Sequence, residues 1–220
     1  IYGGNFNNSD CALYINYGNV KVEKIDDNIE LKMSSVSGSG ITMFNNSNLS
    51  LKGVNLSSQS RYNAVYHRGT GVLEVLDGSV LRTNNSDTIR SESSGSVYVK
   101  GGSIYAENHT AIWNSGTSSK VYLGEKDGEV SITNPSLYGK TYGIINSGSF
   151  YFYDGIIEGA NPNAISGNVS EIEDEYAIVK TVVDGRQTAI LKKLAIVQNE
   201  TTGEFYYDIR NKDRNKKTYI

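Results

Sequence analysis

Apolar residues return along this chain at a distance far longer than the period of a helix or a strand. Ala64-Val65-Tyr66, Thr88-Ile89-Arg90 and Ala111-Ile112-Trp113 each set a small or short residue, a β-branched apolar residue and a large one in that order. Their starts lie 24 and 23 residues apart (88−64 and 111−88). Gly40-Ile41-Thr42 precedes them, and Gly143-Ile144-Ile145 and Ala164-Ile165-Ser166 follow. Such a period predicts a solenoid, in which each repeat is one coil that cannot bury its apolar face alone.

A second signature follows within each coil: apolar, any, apolar, a glycine turn, then apolar again. It reads Leu49-Ser50-Leu51, Gly53, Leu56, then Leu73-Glu74-Val75, Asp77-Gly78, Val80, then Val97-Tyr98-Val99, Gly101-Gly102, Ile104. Val121-Tyr122-Leu123, Asp127-Gly128, Val130 and Phe150-Tyr151-Phe152, Asp154-Gly155, Ile157 continue it. Alternation over three residues predicts a half-buried strand. The glycine turns need positive φ, where a Cβ would clash. Each coil is thus expected to hold three short strands.

Stacked coils give four inward columns. The first is Leu13, Ile41, Val65, Ile89, Ile112, Ile144, Ile165, and the second Val20, Leu49, Leu73, Val97, Val121, Phe150. The third is Val22, Leu51, Val75, Val99, Leu123, Phe152, and the fourth Phe6, Leu56, Val80, Ile104, Val130, Ile157. The expected fold is all-β: a right-handed parallel β-helix solenoid of about seven coils, roughly 30–35 Å long at one strand spacing per coil. A β-sandwich with evenly spaced strands is the competing architecture, but it does not require the same turn residues at the same phase in every unit.

Composition agrees. The 220 residues include 23 glycines, 16 tyrosines and only 2 prolines, which suits many short strands and turns. A net charge of −3 gives no general case for nucleic-acid binding. The single cysteine, Cys11, excludes an internal disulfide and a multi-cysteine metal site, and is read as a small buried residue. No apolar run reaches membrane-spanning length.

Taken in order, Gly3-Gly4-Asn5-Phe6-Asn7 matches Gly101-Gly102-Ser103-Ile104-Tyr105, so the chain enters in mid-coil. This, with a start at Ile1, predicts a piece of a larger chain with an earlier coil or cap upstream. The coil from Ala12 is long at 28 residues (40−12), its excess around Lys24-Ile25-Asp26-Asp27-Asn28. The Asp26-Asp27 pair is read as a solvated loop rather than a cation site. The coil from Ala111 is longer, at 32 residues (143−111). Its extra residues are placed in Glu125-Lys126-Asp127 and Asn134–Lys140, as a surface insertion or a binding loop.

The expected β-helix covers 1–169 and a C-terminal β-hairpin cap or small β module 170–220. In the second, Tyr176–Val183 and Thr188–Leu191 flank Asp184-Gly185, a strong hairpin signal. Leu194–Val197 and Phe205–Tyr207 suggest two more strands, and a basic tail runs from Arg210. A solenoid needs such a cap, because its last coil would otherwise expose strand edges and bare apolar columns.

The units Ala111-Ile112-Trp113-Asn114-Ser115-Gly116 and Gly143-Ile144-Ile145-Asn146-Ser147-Gly148 resemble the right-handed parallel β-helix repeats of bacterial secreted and cell-surface proteins, the pectin-lyase-like group. The segment from Tyr176 to Lys193 resembles the short β segment that often follows such repeats in large surface proteins of Gram-positive bacteria. The resemblance implies a secreted or cell-surface bacterial location. It implies function weakly, because the repeat is a packing motif.

Enzymes of that group act on acidic polysaccharides and need clustered carboxylates, or acidic calcium ligands with a basic residue. Their Asn-Thr-Asp and Gly-His-Gly signatures are absent. The strand face offers His67 and Arg68, then Arg90 and Glu92, then Asn114: one acid and no second carboxylate at matching phase. His67 and His109 have no cysteine or histidine partner and are read as surface or turn residues. The expectation is a non-catalytic chain without cofactor or metal.

An outward column on the first strand reads Tyr14, Thr42, Tyr66, Arg90, Trp113, Ile145. Aromatic faces flanking an arginine suit stacking on sugars and hydrogen bonding to their hydroxyls or carboxylates. In the resembling group this strand face is where polysaccharide binds. Tyr66, His67, Arg90, Trp113 and Asn114 are therefore the candidate ligand-binding residues, for a glycan or a host surface protein. A second outward column is Tyr98, Tyr122, Tyr151, where cross-strand packing alone accounts for the pattern. The functional expectation is an adhesive surface or stalk. The alternatives are a pure spacer, or a polysaccharide lyase or hydrolase.

Overall fold

A computed structural model describes residues 1–208 except 27, 29, 60, 199, 200 and 204. The described residues form strands and turns without helices, arranged as a parallel β-solenoid of about seven turns. Three sheets run along its axis. Sheet I holds Leu13–Ile15, Ile41–Met43, Val65–His67, Ile89–Ser91, Ile112–Asn114, Ile144–Asn146 and Ile165–Ser166. Sheet II holds Gly18–Glu23, Ser47–Lys52, Val72–Val75, Ser96–Val99, Lys120–Leu123, Ser149–Phe152 and Glu171–Ile172. Sheet III holds Gly4–Asn8, Leu31–Ser35, Asn55–Ser58, Val80–Thr83, Ser103–Ala106, Ser136–Gly139 and Ile156–Ala160, then the hairpin strands Arg186–Lys193 and Tyr176–Val183.

The first three expected columns are the observed ones. Leu13, Ile41, Val65, Ile89, Ile112, Ile144 and Ile165 pair in unbroken register. So do Val20 through Phe150 and Val22 through Phe152 on sheet II. Most of these side chains are fully buried in one continuous core, and each such aliphatic contributes roughly 1.5–3 kcal/mol by leaving water.

The fourth column differs from expectation. It runs Phe6, Met33, Leu56, Leu81, Ile104, Leu137, Ile157. Leu81, not Val80, takes the inward place because the turn after Gly78 holds one more residue than the turn after Gly102. That residue, Ser79, is tucked inward and fully buried, as is Val54 in the coil before. Leu137, not Val130, fills the next place. Ser136-Leu137-Tyr138-Gly139 is therefore a regular strand rather than part of an inserted loop, and the excursion is 124–135. Phase counted from the nearest glycine failed here because turn length varies.

The turns obey the positive-φ expectation at Gly53, Gly78, Gly102 and Gly155, with φ of 64°, 73°, 77° and 91°. After Leu123 the same role falls to Gly124, at φ 84°, whereas in Asp127-Gly128 it is Asp127 that has positive φ. The hairpin turn has positive φ at both Asp184 and Gly185, the geometry that matches strand twist. Arg186–Lys193 pairs antiparallel with Ile156–Ala160 and buries Ala189 and Leu191 against the end of the core. Ala195–Gln198 and Phe205–Asp208 form a separate two-stranded sheet. Asp27 and the basic tail from Arg210 lie outside the described residues.

Candidate functional site

Three-residue strands have two inward positions and one outward. On sheet I every full strand between Ile41 and Asn146 is buried at its first and third residues and half-buried at its second. The outward column is Tyr14, Thr42, Tyr66, Arg90, Trp113, Ile145. Tyr66, Arg90 and Trp113 are thus brought together on consecutive coils.

Their contacts form a closed network. The Arg90 guanidinium lies 4.2 Å from the centre of the Trp113 ring. Its Nε is 2.7 Å from Glu92 Oε1, an ion pair whose N–H direction does not complete a hydrogen bond. The Tyr66 hydroxyl donates to Glu92 Oε2, and Arg68 Nε is 3.6 Å from the same oxygen. Arg68 in turn lies over Tyr66 and Phe44, 5.4 and 5.6 Å from the ring centres. Burial, then the Glu92 carboxylate that accepts its proton, raise the Tyr66 phenol above its ordinary value. Glu92 sits at the middle, held by one phenol and two guanidinium groups.

His67 and Asn114 are corrections to the expected site. Both occupy the third, inward position of their strands and are fully buried, so neither can touch a ligand on the outer face. They belong to an internal column, Ile15, Met43, His67, Ser91, Asn114, Asn146. Asn114 Nδ2 donates to Asn146 Oδ1 at 2.7 Å. Asn146 Nδ2 donates to the carbonyls of Gly148 and Asn168 at 3.0 and 2.9 Å. Ser91 and Ser119 share a 2.7 Å hydroxyl contact. The His67 nitrogens have no hydrogen bond of good geometry, and burial pushes its pKa down to about 4, opposed only by the nearby Gly71 backbone. The alternation that placed Val65 inside already placed His67 there. His109, by contrast, is exposed in its turn, with Nδ1 3.8 Å from the buried Asp87 carboxylate. Cys11 is half-buried and its thiol donates to the Leu13 carbonyl at 3.0 Å.

Sheet III carries an aromatic ladder that the sequence reading missed. Arg82, Tyr105 and Tyr138 are in register. Tyr105 and Tyr138 stack at 4.5 Å and 8°. Arg82 covers one end of the stack at 5.5 Å and Arg186, from the C-terminal hairpin, the other at 4.0 Å. Arg186 Nη2 also donates to the Gly139 carbonyl at 2.9 Å. Among the described residues Arg82 makes no ion pair. It lines a shallow trough of about 400 Å³ together with Asn5, Asn7, Lys32, Ser34, Asn55 and Ser57. Reading Tyr138 as part of an insertion hid its register with Tyr105.

No family model matches the chain, and comparisons with curated proteins and with solved structures return no match. What the structure supports is the parallel β-solenoid itself. Among the described residues no group of three or more His, Cys, Asp or Glu is placed to hold a metal ion, and no helix is long and apolar enough to cross a membrane.

Proposed function

We propose that the chain is a non-catalytic β-solenoid segment of a bacterial surface protein, acting as an adhesive surface or stalk and contacting glycans through the outer face of sheet I. The observation that supports this reading is the half-exposed row Tyr66, Arg90, Trp113, in which a guanidinium lies 4.2 Å from the indole centre. Indole and guanidinium together offer an apolar plate and fixed donors, the pairing that suits a sugar's C–H face and hydroxyls. The guanidinium covers one face of Trp113, so a glycan would use the exposed remainder of the ring.

A second reading, a pure spacer, draws on a specific observation as well. The charges at the centre of the row are consumed internally, since Glu92 is held by Tyr66, Arg68 and Arg90. Ion pairs and a hydrogen bond to one shared carboxylate stiffen the sheet without any ligand.

A glycan array probed with the whole chain separates the two. Adhesion predicts binding that Trp113→Ala abolishes at unchanged thermal stability. An Arg82→Ala arm reports whether the sheet III trough contributes. Absence of binding to every glycan sinks the glycan-contacting form and leaves the spacer.

A further inference from the structure

The trough on the outer face of sheet III is built from two rows of side chains in register. One row is Asn7, Ser34, Ser57, Arg82. The other is Asn5, Lys32, Asn55, Val80. Outward residues two apart on a strand stand about 7 Å from each other, so the rows form two rims. Between them the trough of about 400 Å³ lies over the inward Met33 and Leu56. It crosses four consecutive strands of the sheet, roughly 14 Å at one strand spacing per coil.

Its charge is one-sided. None of the described residues that line it is acidic. The two cations differ. Lys32 is paired with Glu30 at 2.7 Å, and Asn55 Nδ2 donates to the other oxygen of that carboxylate at 3.4 Å. Arg82 is exposed, makes no ion pair among the described residues and rests on the Tyr105 ring at 5.5 Å. Glu107 and Glu158 lie on later coils of the same face, neither within ion-pair distance of Arg82, and Glu158 is paired with Arg186 at 3.7 Å. One free guanidinium therefore ends a row of hydroxyl and amide groups.

That combination selects a ligand. Asn, Gln and Ser side chains both donate and accept hydrogen bonds, as sugar hydroxyls do. The rims repeat at the coil spacing of about 4.8 Å. A linear pyranose chain advances by nearly that step per sugar, so successive sugars meet equivalent places on successive coils. An extended peptide advances roughly 3.3 Å per residue and falls out of step at once. The guanidinium adds a place for one anionic group.

We propose that this trough binds a linear sulfated saccharide, one sugar per coil along the solenoid axis, with a sulfate ester on the Arg82 guanidinium. A sulfate ester is ionised at every working pH. Its oxygens point in three directions, so one group takes donors from Arg82 and from Ser57 and Gln59 on the preceding coil. A planar carboxylate facing the guanidinium fork has both oxygens occupied by it. The site is independent of glycan contact on sheet I, since none of its residues belongs to that face.

The test titrates the whole chain by calorimetry with chondroitin sulfate and with unsulfated chondroitin, a polymer of the same sugars whose only charges are carboxylates. The expected result is saturable binding of the sulfated polymer, at least tenfold tighter than the unsulfated one and weakened by salt. Arg82→Ala should weaken the sulfated polymer roughly tenfold or more, the scale of a lost charge-assisted hydrogen bond, at an unchanged thermal midpoint. Asn55→Ala should weaken both polymers by a similar factor, because it touches the sugar and not the sulfate. Lys21→Ala removes an equal charge from an exposed position on sheet II and should change neither polymer, nor should Trp113→Ala. The proposal is overturned if the wild type fails to bind chondroitin sulfate, if unsulfated chondroitin binds as tightly, or if Lys21→Ala weakens binding as much as Arg82→Ala. Binding that Trp113→Ala abolishes and Arg82→Ala spares belongs to sheet I and also overturns it, so the two glycan faces can fail separately.

Discussion

Arg90 and Trp113, neighbours in register on consecutive coils, sit with guanidinium over indole at 4.2 Å. Neither sequence separation nor residue type dictates that distance. It follows from parallel pairing, which sets each outward side chain directly above its counterpart. A double-mutant cycle with Arg90→Ala and Trp113→Ala should show coupling of about 0.5–1 kcal/mol in chemical denaturation, the range for partly exposed cation–π pairs. Coupling near zero would mean that the contact is incidental.

His67 links stability to pH. Its folded pKa is lowered to about 4 by burial, against an unfolded value of about 6.5. The unfolded chain therefore takes up the proton first as pH falls. Stability from this group is intact above about pH 6.5 and declines toward pH 4, by up to ~3 kcal/mol. His67→Leu should flatten that slope in urea melts between those pH values. An unchanged slope would assign the acid sensitivity to other groups.

Asn114 should be a structural residue and not a binding one. Its amide donates to Asn146 Oδ1 at 2.7 Å inside the solenoid. Asn114→Ala leaves that buried acceptor short of a donor and should cost roughly 1–3 kcal/mol. The measurement is the denaturation midpoint, with ligand binding by the folded fraction unaffected. A variant that keeps full stability would contradict the internal ladder.

Gly102 and Gly185 separate backbone strain from crowding. Their φ values are 77° and 73°. A Cβ at Gly102 would meet the Ser79 carbonyl oxygen at 2.4 Å, whereas one at Gly185 meets nothing within 4 Å. Gly185→Ala should cost about 1 kcal/mol, the price of left-handed backbone alone. Gly102→Ala should cost clearly more. Equal losses would show that coil stacking relaxes around the added methyl.

What the sequence by itself determined is the solenoid and three of its four inward columns, because the strands of sheets I and II recur at nearly constant phase and alternation fixes their faces. It also placed Tyr66, Arg90 and Trp113 on one outward column. The tertiary structure decided what depends on turn length and on the inside of the coil. Turns that differ by one residue moved the fourth column from Val80 to Leu81, and the 124–135 excursion moved it from Val130 to Leu137. That shift brought Tyr138 onto Tyr105 and under Arg186, a contact between residues 48 apart (186−138). The same holds for His67 and Asn114. Their polarity suggested the surface, yet a three-residue strand has a second inward position, and polar groups can fill it when coils above and below supply partners, as Asn146 does for Asn114. Local pattern sets which face a residue takes, and only stacking sets whom it meets.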